Sequence, residues 1–316
     1  MIEMSSFDTM MLFLLLGFNI GILSGFFGVG GCFILTPILN ILGLPMASAV
    51  GTGLFFAVIV STAGGIKHYL AGNTIIKISI MMGLLSFVGI RLSQPLVIYL
   101  DQLHLAGFYI RLLYIFLLLL LGFSTLRKNS NSPNLNPKQK WLLLAWIDRI
   151  PPWIKIEKNM PKFSIWFIVL LALFVGFLQG FMGVGGGFIL VPMLIIFLDM
   201  KTHHAVGTSL VTIVISSVFA AFLYFQAGKV IIPASLLLGA GSMFGVNLGV
   251  HATQFIREES LKKFYALFLL LASLGIMIKS FDYNMVSLYY MLILSIGVGI
   301  IILYRYHWCA NRQKRK

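Results

Sequence analysis

The sequence predicts an all-α, polytopic membrane protein. It reads as two inverted repeats, each of about five apolar helical segments broken by a glycine-rich loop, followed by one C-terminal helix. Three observations carry this: apolar runs recur along the whole chain, one motif occurs twice, and the basic residues gather in two stretches.

Hydrophobic residues make up 59% of the 316 and charged residues only 10%, against roughly 25% charged in ordinary globular domains. Several apolar runs approach or exceed the ~18 residues that mark a crossing helix. A soluble fold of this size has too little interior to hide them. The N-terminus, Met1-Ile2-Glu3 with Asp8, lacks the basic character of a secretory leader, so the first run reads as a permanent span. Cys32 and Cys309 lie far apart, in an apolar segment and a basic tail, and predict neither a disulfide nor a metal site. A net charge of +14 would suit nucleic acid if it covered a folded face. Instead it concentrates at 127–162 and 305–316, the pattern of a topology signal.

The repeat is explicit. Residues 25–37 read GFFGVGGCFILTP and residues 180–192 read GFMGVGGGFILVP, identical at ten of thirteen positions. With one inserted residue, Ala49-Val50-Gly51-Thr52 aligns with Ala205-Val206-Gly207-Thr208, Ser61 with Ser217, and Ala71-Gly72 with Ala227-Gly228. The units are a first membrane repeat at 8–126, a basic linker at 127–162, a second repeat at 163–280, an added apolar helix at 286–304 and a basic tail at 305–316. Predicted segments are 9–27, 30–43, 48–70, 75–99 and 105–126, then 163–181, 183–198, 204–226, 230–255 and 261–279. Within the linker, Trp141 to Ile150 reads as a short interfacial helix, with Trp141, Trp146 and Trp153 as anchors.

Sidedness follows from the basic residues. With the linker inside, 19 Lys and Arg fall inside and four (Arg91, Arg111, Lys229 and Lys279) fall outside or in the outer half. The N-terminus is then outside and the tail inside. Because one repeat starts outside and the other inside, the two are inverted, as in many secondary transporters with midplane substrate sites. Segments 30–43 and 183–198 either cross or turn back at depth. The first, about 14 residues, makes roughly 21 Å of helix against a core of about 30 Å.

The GVGG runs are the sharpest motif. Contiguous glycines free the backbone for positive φ, and irregular backbone at membrane depth is tolerated only where protein buries it or a wet cavity meets it. A glycine loop ahead of a short helix also offers an anion amide donors and the positive helix end. Close packing through small residues is the competing reading, but packing spaces glycines along a face, whereas these are contiguous and followed by Pro37 or Pro192. The candidate ligands are therefore Gly28, Gly30, Gly31, Gly183, Gly185 and Gly186. Thr52, Thr208 and Ser209 add hydroxyls that either donate to a ligand or bond neighbouring helices, and Ser61 and Ser217 carry the same ambiguity. Gln179 and Asn19 lie near the loops. Arg91, whose repeat partner is Asn247, with His251 one turn further on, is an ionisable residue within an apolar segment; it either draws anions or snorkels outward.

Several machineries are missing. There is no HExxH, GxSxG or paired intramembrane carboxylate, and no GxxxxGK[ST] for ATP. Asp199 and Glu258-Glu259 sit at segment boundaries. A core poor in acids and rich in backbone donors suits an anion, and the sequence asks for no cofactor, metal or catalytic residue.

Two copies of G-x-G-G-x-F-I-L-x-P, each followed by A-V-G-T, resemble the sulfite exporter TauE/SafE family of permeases over about 250 residues. The first copy departs from the second by carrying Cys32 where the second has Gly187. The resemblance implies transport of sulfite, sulfoacetate or a related sulfur-containing anion across a bacterial inner membrane. The expected partners are a small anion and the lipid bilayer, not nucleic acid, with a homo-oligomer left open. Export needs no coupling apparatus: with the interior negative, expelling a monovalent anion gains about 2.3 kcal/mol per 100 mV. The rival functions are a non-transporting membrane interaction or sensor subunit, and a membrane enzyme, for which no nucleophile or metal cluster is visible.

Overall fold

The computed structural model describes residues 7–127, 151–154, 163–198, 200–254, 256, 258–281 and 283–314. The described residues form eleven helices: α1 (Phe7–Phe27), α2 (Cys32–Ile41), α3 (Met46–Leu70), α4 (Ile76–Gln102), α5 (Ala106–Arg127), α6 (Ile165–Met182), α7 (Gly187–Phe197), α8 (Thr202–Gln226), α9 (Ile232–Gln254), α10 (Glu258–Ser280) and α11 (Asn284–Lys314). Nine of them are long and apolar enough to cross a membrane. Their outward faces stay apolar, with Leu92 65% and Phe244 72% exposed, while many serines and threonines point inward. That is the polarity of a protein dissolved in lipid.

The exceptions are α2 and α7, of 10 and 11 residues. At 1.5 Å per residue they reach about 15–17 Å, half of the ~30 Å hydrocarbon core. The Gly28–Gly31 and Gly183–Gly186 turns that precede them are fully buried. Each chain segment therefore turns inside the protein rather than at its surface.

The last helix departs from expectation: it continues as backbone helix through the basic tail to Lys314, ten residues past the predicted end. The linker segment 141–150 lies outside the described residues. Near the linker's end, Trp153–Ile154 (β1) pairs antiparallel with Phe163–Ser164 (β2), and Ile165 N donates to Pro152 O at 3.0 Å just ahead of α6.

Packing between the halves is set by small residues. Gly17, Gly21 and Gly25 of α1 meet Leu238, Ser242 and Val246 of α9, and Gly241, Gly245 and Gly249 of α9 meet Leu14, Phe18 and Ile22 in return. Numbers rise together on both helices, so the pair is parallel. A β-carbon at Gly25 would sit 2.6 Å from Val246 O, so only glycine allows this approach. The counterpart pair, α6 with α4, repeats the device: Gly176 lies on Ser86, and Gly180 on Ile90 and Ser93. By contrast, α3 and its counterpart α8 run antiparallel, with Gly51 against Tyr224 and Gly64 against Leu210. So do α5 and α10, where Gly122 lies against Ala266 and Leu270 and Arg111 lies near Lys279.

Candidate functional site

The site begins with two backbone breaks. Gly28 N donates to Ser24 O at 2.8 Å, and Gly183 N donates to Gln179 O at 2.9 Å, closing α1 and α6 in the same way. The chain then turns through left-handed backbone at Gly28, Gly30 and Gly31 (φ 71 to 73°) and at Gly183, Gly185 and Gly186 (φ 70 to 80°). A β-carbon at Gly28 would lie 2.6 Å from Val206 Cγ1 and 2.7 Å from Val206 Cα; one at Gly183 would lie 2.6 Å from Val50 Cα. Each GVGG turn is thus pressed onto the AVGT segment of the other half. The two motifs that recur together in sequence meet across the repeat boundary.

The turns also meet each other. A β-carbon at Gly187 would fall 2.6 Å from Val29 Cα and 2.7 Å from Gly28 O. Just beyond, the equivalent rings of Phe33 and Phe188 stack with centroids 6.0 Å apart. Gly31 and Gly186 cap α2 and α7 in left-handed conformation, and neither helix receives a side-chain cap. Two short helices therefore aim uncapped N-termini at one buried region between the middles of α3 and α8. Each terminus carries roughly half a positive charge and orphan N–H donors. The buried polar side chains around the turns are hydroxyls, the Gln179 amide, the Cys32 thiol and the His68 imidazole, with no carboxylate among the described residues there.

The hydroxyls are partly engaged. Thr52 Oγ1 accepts from Ile231 N at 3.1 Å, and Thr52 O accepts from Ser235 Oγ at 3.1 Å. Thr208 does the same to Ile75 N and Ser79 Oγ, both at 3.0 Å. Each threonine thus caps the start of the fourth helix in the opposite half, which favours the helix-bonding reading of this pair. Ser209 Oγ donates to Gly28 O at 2.6 Å, while in the other half Thr36 Oγ1 donates to Gly183 O at 3.0 Å. The repeat positions differ: Ser209 aligns with Gly53, and Thr36 with Val191. A β-carbon at Gly53 would lie 2.8 Å from Thr36 Oγ1, so the hydroxyl is supplied from α8 in one half and from α2 in the other.

Gln179 reaches the region and donates to Ser217 Oγ at 3.0 Å, beside Gly186. Its counterparts Ser24 and Ser61 are both buried with unpartnered hydroxyls, and Ser61 Oγ faces Gly30. Two sequence candidates are not brought here. Arg91 lies exposed on α4, on the flank with Val88 and Leu92, while the other face of that helix packs Ile90 and Ser93 onto Gly180. Asn19 faces α11, where its amide, oriented to satisfy both atoms, meets Ser295 O at 3.0 Å and Ile296 N at 3.1 Å. In each case helical rotation decides: the side chain sits on the wrong face for the turns.

Sequence reasoning missed several supports. Tyr114 OH donates to Met182 O at 3.0 Å and Tyr265 OH to Phe188 O at 2.5 Å, fixing the carbonyls flanking the second turn. Tyr224 OH donates to Gly180 O at 2.7 Å, and its counterpart His68 bonds Gly25 O through Nε2 at 3.2 Å. The alignment of residue 68 with residue 224 was the available signal. Among the described residues no group of three His, Cys, Asp or Glu is placed to hold a metal, and Cys32 is a buried free thiol whose Sγ donates to Gly53 O at 2.9 Å.

A bundle of nine crossing-length helices, two of which (α1 and α6) break at buried glycine turns into the short helices α2 and α7, is the build of a polytopic membrane transporter. The family model for the sulfite exporter TauE/SafE matches residues 13–276, and the chain belongs to that family. It is 27% identical over 267 residues to a probable membrane transporter protein of Methanocaldococcus jannaschii, covering 79% of this chain and 89% of that one. It is 26% identical to the probable membrane transporter protein YdhB of Bacillus subtilis over 275 residues, covering 85% and 99%. YjnA of the same organism, likewise a probable membrane transporter protein, is 27% identical over 277 residues, covering 83% and 97%. No solved structure shows a significant match.

Proposed function

We propose that this transporter is a secondary permease for a small sulfur-containing oxyanion, sulfite or a sulfonate such as sulfoacetate, working in the export direction. The observation that carries the reading is the convergence of two uncapped helix N-termini on one buried, acid-free region. Together they present about one positive charge, of the sign an oxyanion needs, and backbone N–H groups suit oxyanion acceptors. Gly30, Gly31, Gly185 and Gly186 supply the backbone, Gln179 and the Ser209 hydroxyl lie alongside, and no cofactor or catalytic residue is needed. The antiparallel courses of α3 with α8 and of α5 with α10 support an inverted pair of repeats, in which each half presents the same turn to opposite compartments. In this reading the N-terminus lies outside and the linker and C-terminus lie in the cytoplasm of a bacterial inner membrane. An anion leaves down the membrane potential without a partner ion.

Purified protein in liposomes tests this with radiolabelled sulfite and sulfoacetate, at imposed potentials of both signs. The expected result is flux above protein-free vesicles that reverses with the sign of the potential and is competed by the other anion. Vesicles that move neither anion overturn the permease reading in favour of a non-transporting membrane subunit.

A further inference from the structure

The two short helices leave the turns towards opposite sides. α2 leads to the start of α3 and α7 to the start of α8, and α3 and α8 are antiparallel. The space beside each short helix is filled differently. On the linker side a slot stands beside α7, where Pro192, Ile195 and Ile196 face Thr202 and Val206 of α8 and Lys262 of α10. Val206 is also the residue on which Gly28 rests, so the slot ends against the wall of the first turn. Thr125, near the end of α5, lines the slot too, but its hydroxyl turns back to Leu121 O at 2.7 Å. Ile195 has no polar side-chain atom with which to bond it.

Beside α2 the equivalent space is bridged. Asn40, which aligns with Ile195, accepts a hydrogen bond from Lys279 Nζ at 2.6 Å through Oδ1, while its Nδ2 donates to Leu44 O at 3.0 Å. Lys279 stands near the end of α10 as Thr125 stands near the end of α5. It is only 5% exposed, so water does not compete for this bond while the helices are together. The difference is written into the sequence, because α2 and α7 share Phe-Ile-Leu-x-Pro and then diverge at Asn40 and Ile195.

We propose that Asn40 and Lys279 form the outer gate of the anion path, and that the structure is the form with this gate shut and the linker-side half parted. The inference rests on the permease reading above. In transporters built from inverted repeats, alternating access exposes one fixed site to each side in turn. The gap now beside α7 is therefore the arrangement that α2 must reach, and reaching it breaks the bond between Lys279 and Asn40. That bond exists in one form only, so it holds the resting protein shut on the outer side, by about tenfold in the ratio of the two forms. A permease that rests parted on the linker side loads its anion there, which suits export.

The test is cysteine labelling by a membrane-impermeant maleimide, in a Cys309→Ser background where the buried Cys32 supplies the blank. Met46→Cys reports the outer side: Met46 is buried at the start of α3 and aligns with Thr202. Thr202→Cys reports the slot. Intact cells expose the outer side to reagent and inverted vesicles the linker side. Thr202→Cys should label from the linker side, and Met46→Cys should stay near the blank from outside. Adding Asn40→Ile, the residue its counterpart carries, should speed outer labelling of Met46→Cys about tenfold. If Asn40→Ile does not yield monodisperse protein, Lys279→Met cuts the same bond from the other end. Sulfoacetate supplied on the linker side should also speed outer labelling in the Asn40-intact protein, because turnover opens the gate, whereas a frayed helix end would not respond. Fast outer labelling with Asn40 intact, unchanged labelling in a folded variant, no response to sulfoacetate, or loss of fold in both variants overturns the gate. Parallel sulfoacetate flux in proteoliposomes keeps the two readings apart: parental flux leaves the permease standing, and its absence overturns the permease itself.

Discussion

Alanine at Gly185 and at Gly183 separates binding from folding within one turn. Both residues have positive φ, 70° and 71°, so a side chain costs about 1–2 kcal/mol of left-handed strain at either. Beyond that they differ. At Gly185 a β-carbon meets Ile213 Cγ2 at 3.4 Å, Ala57 Cβ at 3.5 Å and Val29 O at 3.8 Å, all ordinary contacts. At Gly183 it lies 2.6 Å from Val50 Cα, a backbone atom of α3, so the turn and the helix must separate. Overpacking of that kind adds about 1–3 kcal/mol. Gly183→Ala is therefore expected to lose most of its monodisperse protein in detergent chromatography, and Gly185→Ala to keep it. If the anion sits at the turns as proposed, the new methyl of Gly185→Ala, placed where the two turns meet, displaces an anion oxygen from one amide donor. A hydrogen bond to a charged group is worth about 1.5–3 kcal/mol, which is roughly a 10- to 100-fold rise in half-saturating sulfite. Concentration-dependent flux in proteoliposomes reads this directly. Gly185→Ala with folded protein and parental flux parameters would refute the placement of the anion at the turns.

Other expectations are simpler. Thr52→Val strips the cap from Ile231 N and should lower the thermal stability of the detergent-solubilised protein by about 1–2 kcal/mol; Thr208→Val should match it at Ile75, and neither should change the half-saturating anion concentration. Arg91→Gln should transport like the parent, because the side chain is on the exposed flank of α4; a raised half-saturating concentration would put Arg91 back on the anion path. Reporters fused after residue 135 and at the C-terminus should give cytoplasmic signals and one at residue 3 an external signal, and a cytoplasmic N-terminus would dismantle the proposed inversion.

The sequence alone determined the class of this protein, because 10% charged residues across 316 positions leave lipid as the only workable solvent. It also determined the two-part organisation, since GVGG and AVGT recur in the same order. The glycine turns were legible because runs of contiguous glycine have few other uses at membrane depth. What meets what was not legible. In lipid both faces of a helix are apolar, so the periodicity that shows a buried face in water carries little contrast. Arg91 and Asn19 could therefore be assigned to a segment but not to a face of it. The hydroxyl at position 52 reads the same whether it caps a helix 179 residues away, as Ile231 N shows, or awaits a ligand. Only the tertiary structure set each GVGG turn on the opposite AVGT segment, exchanged the Thr36 and Ser209 hydroxyls between halves, and put His68 where the other half keeps Tyr224. Those outcomes depend on backbones brought within van der Waals contact by glycine stripes on α1 and α9, a proximity that no local pattern encodes.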